Sequence, residues 1–161
     1  MKNKYLSLLF ASFLIVSGCE TIGGSSSSSD SPSYAYGDSK QANLQGYLQN
    51  EIGDRVYFET NKHNINSAAA FTLEAQANWL NSTPGFQIII EGHCDERGTR
   101  EYNLALGERR ANSVKEFLVS LGVDPNRIST ISYGKERPAA EGSTSESWAE
   151  NRRSVTIVGS E

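Results

Sequence analysis

The chain has 161 residues, of which 19 are Asp or Glu and 15 are Lys or Arg, so its net charge at pH 7 is −4. This acidic balance argues against nucleic acid or an anionic lipid surface as the main partner. The two cysteines are too few for a disulfide framework, so the fold must depend on a hydrophobic core.

The first 18 residues are typical of a secretory signal peptide. Two lysines precede an apolar run at 6–16, which is shorter than the roughly 20 residues that a membrane-spanning helix needs. The sequence Val-Ser-Gly before Cys19 resembles a bacterial lipobox, in which the cysteine becomes the acylated first residue of a lipoprotein. We therefore predict cleavage after residue 18, lipidation at Cys19 and a net charge of about −6 for the mature chain.

The mature chain is predicted to have two parts. Residues 19–40 contain the stretch GGSSSSSDSPS, whose glycines and serines bury no apolar surface. This segment is therefore predicted to be a lipidated N-terminus and flexible tether. Residues 41–161 are long enough for one domain with its own core. Within that domain Cys94 is the only thiol.

The elements of the domain follow from changes in hydrophobic periodicity. In chain order we predict a short helix at 44–52, a strand at 55–58, a helix at 67–81, a strand at 86–92, a helix at 102–121, a strand at 127–134, a weaker helix at 145–151 and a strand at 154–159. Ser67 is the expected N-cap of its helix, and Gly122 the expected residue after the C-terminus of the next. The order β-α-β-α-β-α-β predicts an α+β fold, a two-layer sandwich of helices packed on a four-stranded mixed sheet.

A His-Cys-Asp run at 93–95 raises the possibility of catalysis. If the strand continues through it, His93 and Asp95 face one side and Cys94 the other, so these neighbours cannot form a triad. Cys94 is then a small half-buried filler. A pairing of Cys94 with His63 remains as an alternative, which would make the protein a cysteine-dependent hydrolase. The spacing of the histidines and the free thiol matches no metal site, so we predict no metal and no cofactor.

A second hypothesis concerns a binding site formed by Asp95 and Arg110, which are fifteen residues apart. Asn103 and Leu106 share a helix face with Arg110, and Gly107 leaves room beside its guanidinium. An anion and a planar cation on rigid elements suit a zwitterionic ligand, with Asp95 binding an ammonium and Arg110 a carboxylate. The alternative is that the two simply form a surface salt bridge.

Four motifs then occur in an order known from a family of envelope proteins. They are VYFETNKHNI, IIIEGHCDERGTREYNLALGERRANSVKEFL, ISYGKERPA and ENRRSV. On these motifs, from about Arg55 to Val158, the chain resembles the OmpA-like C-terminal domain family. The stretches GHCDERGT and LGERRA are most similar to its peptidoglycan-associated lipoprotein branch, and the lipobox agrees.

This resemblance implies a non-catalytic site for the diaminopimelate of the peptidoglycan stem peptide. Asp95 matches the family's acidic residue that holds the ammonium, and Arg110 matches the arginine that holds the carboxylate. Phe58 lies at the family's pocket wall, and Asn103 and Leu106 lie on the pocket-facing side of the helix. The loop after the first strand departs from the family pattern, because Asn61 stands where relatives commonly have Asp.

The resemblance also implies an outer-membrane lipoprotein with its domain in the periplasm. Its partners would be peptidoglycan, TolB and other Tol proteins, with a role in envelope integrity and cell division. The alternatives are an OmpA-like lipoprotein of another envelope machine and a cell-wall hydrolase that uses Cys94. From the sequence, Arg152 and Arg153 are interpreted as bracing the last strand or pairing with acidic neighbours, and Trp148 is interpreted as covering the core at the last helix.

Overall fold

The structure, a computed structural model, describes residues 34–159, with side chains from residue 39 onward. The predicted signal peptide, Cys19 and most of the predicted tether therefore lie outside the described residues. The helices are α1 (Tyr34–Tyr47), α2 (Ser67–Ser82), α3 (Arg100–Ser120) and α4 (Ser145–Asn151), and the strands are β1 (Arg55–Tyr57), β2 (Ile88–His93), β3 (Ile128–Gly134) and β4 (Arg153–Val158). A π-helical turn, Leu48–Ile52, extends α1, and a 3₁₀ turn, Pro125–Arg127, precedes β3.

The four strands form one mixed sheet in the order β1-β4-β2-β3. Strands β2 and β3 are parallel, and β4 runs antiparallel to both of its neighbours. A parallel pair needs a long crossover, which α3 provides between β2 and β3. The predicted α+β sandwich is confirmed. None of the described helices is both long and apolar enough to cross a membrane.

Several predicted boundaries differ from the structure. Helix α1 begins at Tyr34, so residues 34–40 of the predicted tether are helical, and the short helix expected at 44–52 is the end of a longer one. The prediction of Ser67 as N-cap of α2 was wrong. Asn66 takes that position, because its backbone is extended and its side chain accepts a 2.9 Å hydrogen bond from Ala69 N.

The core lies between the sheet and helices α2 and α3. Its central members come from one face of the strands and the inward faces of the two helices: Ile88, Ile90 and Val158, then Leu73, Ala77 and Leu80, then Ala111, Val114 and Leu118. These residues recur at helical spacing in α2 and α3, which is why the periodicity in the sequence predicted both helices.

Two glycines, Gly92 in β2 and Gly107 in α3, bring the backbones of the strand and the helix into direct contact. A Cβ on Gly92 would lie 1.9 Å from Gly107 O, and a Cβ on Gly107 would lie 2.3 Å from Ser132 Oγ. The prediction that Gly107 leaves room beside the Arg110 guanidinium was therefore wrong, because the missing side chain accommodates the strand. The contact fixes the first half of α3 against the carboxyl end of β2.

Candidate ligand-binding site

The turn after β2 holds Asp95 in a fixed position. Arg97 N donates to Asp95 Oδ1 at 3.2 Å, and Thr99 caps α3 by accepting from Tyr102 N at 3.2 Å. Asn103, inside α3, donates from Nδ2 to Arg97 O at 2.8 Å. The turn is thus tied to both its own carboxylate and the following helix.

The Asp95 carboxylate is paired with two arginines. Arg97 binds it with both prongs, Nε to Oδ1 at 3.2 Å and Nη2 to Oδ2 at 2.7 Å, and Arg152 Nη1 lies 3.4 Å from Oδ2. Burial raises the pKa of Asp95, but the hydrogen bonds from Arg97 and Arg152 outweigh burial and hold the pKa below its usual value. Asp95 is therefore ionised at neutral pH.

Arg110 is fully buried and binds backbone carbonyls. Its Nη1 donates to His93 O at 2.7 Å, its Nε to Lys62 O at 2.9 Å and its Nη2 to Glu59 O at 3.1 Å. Burial lowers the pKa of the guanidinium, while the nearby Cys94 and Asp95 raise it. Arg110 thus joins three separate segments: the end of β2, helix α3 and the loop after β1.

No ion pair between Asp95 and Arg110 occurs among the contacts of the described residues. The alternative of a direct surface salt bridge is therefore wrong for the described structure. Asp95 still acts on Arg110 through its charge, so the carboxylate and the guanidinium belong to one electrostatic cluster.

In the His-Cys-Asp run, His93 has different neighbours from Cys94 and Asp95. His93 Nε2 lies 3.3 Å from Glu91 Oε2, and the His93 ring stacks on Tyr133. Cys94 and Asp95, however, both act on Arg110. Asp95 binds Arg97 and Arg152, and because β2 ends at His93, the alternation used in the prediction does not extend to Asp95.

Cys94 is buried, where half-burial was expected. Its Sγ lies 3.4 Å from Asn103 O and 3.5 Å from Arg110 Nη1. Burial raises the pKa of the thiol, and the charge of Arg110 only partly opposes this. His63, the histidine considered as its partner, instead lies with Nδ1 3.2 Å from Ser113 Oγ. A protonated, buried thiol without a neighbouring base is a poor nucleophile.

The other predicted site residues surround Arg110 or support its helix. The Phe58 ring is buried, with its centroid 5.1 Å from Arg110 Cζ. Asn103 and Leu106 are buried on the same face of α3 as Arg110, as the spacing predicted. The Asn103 side chain binds the Asp95 turn, so a direct contact with ligand stays a prediction for it, as it does for Leu106.

Sequence reasoning missed two features of this cluster. The first is the loop after β1, where Glu59 and Lys62 offer their carbonyls to Arg110 and form a salt bridge with each other. Asn61 in that loop has a φ of +58°, a conformation that Asn tolerates better than most residues. An Asn between polar residues was the available signal, although it indicated only a turn.

The second missed feature is the contribution of Trp148, in α4, beside Arg152. Trp148 Nε1 donates to Glu96 Oε1 at 3.0 Å, and Arg97 Cζ lies 4.2 Å from the centroid of the Trp148 ring. Arg152 donates from Nε to Phe58 O at 3.0 Å while it contacts Asp95. Arg152 thus pairs with an acidic residue, as its interpretation from the sequence allowed, whereas Trp148, interpreted as core cover, holds the Asp95 turn.

A groove of about 320 Å³ adjoins the cluster at Phe58 and Arg152, a volume within the range of small-molecule sites. Its lining consists of Tyr57, Phe58, Glu59, Asn66, Ala149, Glu150 and Arg152. Within the described part of the chain, no group of three or more His, Cys, Asp or Glu is placed to hold a metal ion. The arrangement suits recognition of a charged organic ligand.

Comparison with known proteins finds relatives that cover most of the chain. The chain is 44% identical to the peptidoglycan-associated lipoprotein of Mesorhizobium japonicum over 98% of its own length and 92% of that protein. It is 54% identical to the peptidoglycan-associated lipoprotein of Rhizobium meliloti, in a match that covers 67% of this chain and 61% of that protein.

A solved structure shows the same fold. The peptidoglycan-associated lipoprotein from Burkholderia pseudomallei matches with a TM-score of 0.66 and 38% identity, over 70% of this chain and 99% of that chain. The model of the OmpA family matches residues 57–152, which include the last residue of β1, the loop after it, the Asp95 turn, Arg110 and α4. The chain therefore belongs to the OmpA family.

Proposed function

We propose that this protein is a non-catalytic, lipid-anchored protein that binds peptidoglycan through the free end of diaminopimelate. Its relatives are named peptidoglycan-associated lipoproteins, and the similarity to one of them extends over nearly the whole chain. In this proposal Asp95 accepts the ligand ammonium, Arg110 attracts the ligand carboxylate, and Phe58, Asn103 and Leu106 form or support the pocket wall.

One observation carries the proposal: an ionised carboxylate and a buried guanidinium meet at one strand end without neutralising each other directly. Each is held by its own partners, so a zwitterionic ligand need not break an Asp95–Arg110 bridge to reach them. The groove beside Phe58 and Arg152 gives the ligand a place against this cluster.

Arg110 has a donor suited to a ligand carboxylate. Its Nη2 carries two hydrogens and donates to Glu59 O at 3.1 Å, the longest of its three bonds to carbonyls. A carboxylate that shares or replaces this acceptor would form a charge-assisted hydrogen bond, which is stronger than the neutral one. The loop at Glu59–Lys62 is therefore the side from which the carboxylate would approach.

The decisive experiment is calorimetric titration with the tripeptide L-alanyl-γ-D-glutamyl-meso-diaminopimelate. Loss of one charge-assisted hydrogen bond, about 1.5 to 3 kcal/mol, predicts that Asp95→Asn weakens binding roughly ten- to a hundredfold. Glu136→Gln is the matched control, since it removes an exposed carboxylate that also pairs with an arginine, Arg100, at 3.2 Å. Undiminished affinity in Asp95→Asn would contradict the assignment.

A second ligand tests the carboxylate half of the site. The same tripeptide with L-lysine in place of diaminopimelate keeps the ammonium but lacks the adjacent carboxylate. It should bind at least tenfold more weakly, because the charge-assisted bond from Arg110 is absent. Purified sacculi incubated with the protein should retain it and release no soluble fragments, whereas fragment release would support the hydrolase alternative.

The cellular part of the proposal rests on the lipobox at Cys19 and on the family. We infer an anchor in the outer membrane, a domain in the periplasm, and TolB and other Tol proteins as partners. Cys19→Ser should release the domain from the membrane fraction, because no described helix would hold it there. Co-purification with TolB separates this assignment from an OmpA-like lipoprotein of another envelope machine.

A further inference from the structure

The carboxylate proposed to hold the ligand ammonium is already occupied by a cation of the protein itself. Arg97 binds both oxygens of Asp95, and Arg152 adds a longer contact. The Asp95 side chain is only 9% exposed, whereas that of Arg97 is 41% exposed. An incoming ammonium therefore meets the Arg97 guanidinium before it meets Asp95.

The Arg97 guanidinium can move away from the Asp95 carboxylate without disturbing the turn. Its backbone is fixed at both polar groups, with N donating to Asp95 Oδ1 at 3.2 Å and O accepting from Asn103 Nδ2 at 2.8 Å. Asp95 thus keeps a backbone donor and Arg152 when the guanidinium moves away. Because ion pairs with a partly exposed member contribute little, the exchange costs little.

The charges of the cluster favour such an exchange. Asp95 and Glu96 supply two negative charges, and Arg97, Arg110 and Arg152 supply three positive charges within one network. An ammonium added while Arg97 remained in place would raise this surplus. If Arg97 withdraws as the ammonium enters, the charge next to Asp95 is unchanged.

Trp148 provides a surface for the displaced guanidinium. Its indole N–H is anchored on Glu96 Oε1 at 3.0 Å, and Arg97 Cζ already lies 4.2 Å from the ring centroid. Arg97 can therefore give up Asp95 and retain its contact with the aromatic face. The environment of the Trp148 indole should change when this happens.

We propose that Arg97 is an internal counter-ion that occupies Asp95 in the free protein and is exchanged for the ammonium of the ligand. This inference rests on the proposed function, because it assigns the ammonium of diaminopimelate to Asp95. Arg97 then sets specificity, since a ligand without a free ammonium has no cation that could replace Arg97 on Asp95.

The test compares two probes and three proteins by calorimetry. The probes are the diaminopimelate tripeptide and the same tripeptide acetylated on its free-end amine. The proteins are the wild type, Arg97→Gln and the matched control Arg100→Gln, whose arginine is exposed and pairs with Glu136. For the free-amine tripeptide, Arg97→Gln should tighten binding about three- to tenfold, because no competitor remains on Asp95.

The acetylated tripeptide should show no tightening in Arg97→Gln, and Arg100→Gln should match the wild type with both probes. A merely structural role for Arg97 would affect both probes alike. In the wild type, the free-amine tripeptide should shift the NMR resonances of Arg97 Nε–H and Trp148 Nε1–H, and the acetylated one should shift them much less.

The results separate the two proposals. Weaker or equal binding of the free-amine tripeptide by Arg97→Gln, alongside wild-type binding that depends on Asp95, would overturn the exchange and leave the proposed function intact. No binding of the tripeptide by the wild type would overturn both.

Discussion

Asp95 and Arg110 lie at the same strand end but bind different partners. The Asp95 carboxylate is paired with Arg97 and Arg152, whereas the Arg110 guanidinium donates to the carbonyls of His93, Lys62 and Glu59. The two residues therefore belong to one electrostatic cluster but stabilise different parts of the structure. Arg110 connects distant segments, whereas Asp95 pairs with Arg97 in its own turn and with Arg152, the residue before β4.

The first prediction is that Arg110→Lys destabilises the domain much more than Asp95→Asn. A lysine ammonium cannot reproduce the three directions of the guanidinium, so buried carbonyls lose their donors, at a cost of roughly 3 kcal/mol. Asp95→Asn removes an ion pair with the partly exposed Arg97, which should cost about 1 kcal/mol or less. Urea unfolding at pH 7 measures both, and equal losses would show that Arg110 does not brace the fold.

The second prediction concerns the close approach of α3 to β2. Gly107→Ala should lower the free energy of unfolding by about 3 kcal/mol, because its Cβ would meet Ser132 Oγ at 2.3 Å and Gly92 O at 2.8 Å. The control is Gly46→Ala in α1, where a Cβ has no neighbour within 4 Å. That change should stabilise the helix by about 0.5 to 1 kcal/mol. A small effect of Gly107→Ala would contradict the tight contact.

The third prediction is a pH dependence of stability that comes from His93. Burial, with the charges of Arg153 and Arg137, lowers its pKa from 6.5 to about 4. As the pH falls from about 6.5 to about 4, the unfolded chain binds this proton and the folded chain does not, so stability is lost in that window. At 1.36 kcal/mol per pKa unit, the loss between pH 7 and pH 5 is about 2 kcal/mol.

His93→Gln should remove this pH dependence, which is measured as the difference between the free energies of unfolding at pH 7 and pH 5. Glu91 is expected to act in the opposite direction, because burial raises its pKa and the folded chain takes up that proton first. Glu91 remains in the variant, and the Gln side chain offers it a neutral hydrogen-bonding group in place of the His93 ring. An unchanged difference between the two pH values would show that His93 is not held neutral by its surroundings.

The fourth prediction is that Cys94 is inert. A thiol reagent at pH 8 should label it only after unfolding, because the thiol is buried and its pKa is raised. Cys94→Ala should cost about 1 kcal/mol and leave binding to sacculi unchanged. Rapid labelling of the folded protein, or loss of sacculus binding in a folded variant, would revive the catalytic alternative.

Most of the fold follows from the sequence because periodicity is a local property. Alternation and helical spacing each reflect one buried face, so they revealed four strands and the helices between them, and α4 lies at 145–151 as predicted. The ends of helices do not follow from periodicity, because a cap depends on the backbone conformation of a single residue. Asn66 and Ser67 are both good caps in principle, and the extended backbone of Asn66 decided between them.

The residues of the candidate site could be predicted from local patterns: Asp95 after a strand, and Arg110 on the inward face of the next helix with Asn103 and Leu106. Their binding partners depend on how distant parts of the chain pack together. Arg110 binds carbonyls 48 and 51 residues away in the chain, and Arg152 approaches Asp95 across 57 residues. Local spacing specifies which face a side chain occupies, but long-range chain packing determines which groups meet there, so the occupation of Asp95 by Arg97 and the support from Trp148 could not be predicted from the motif.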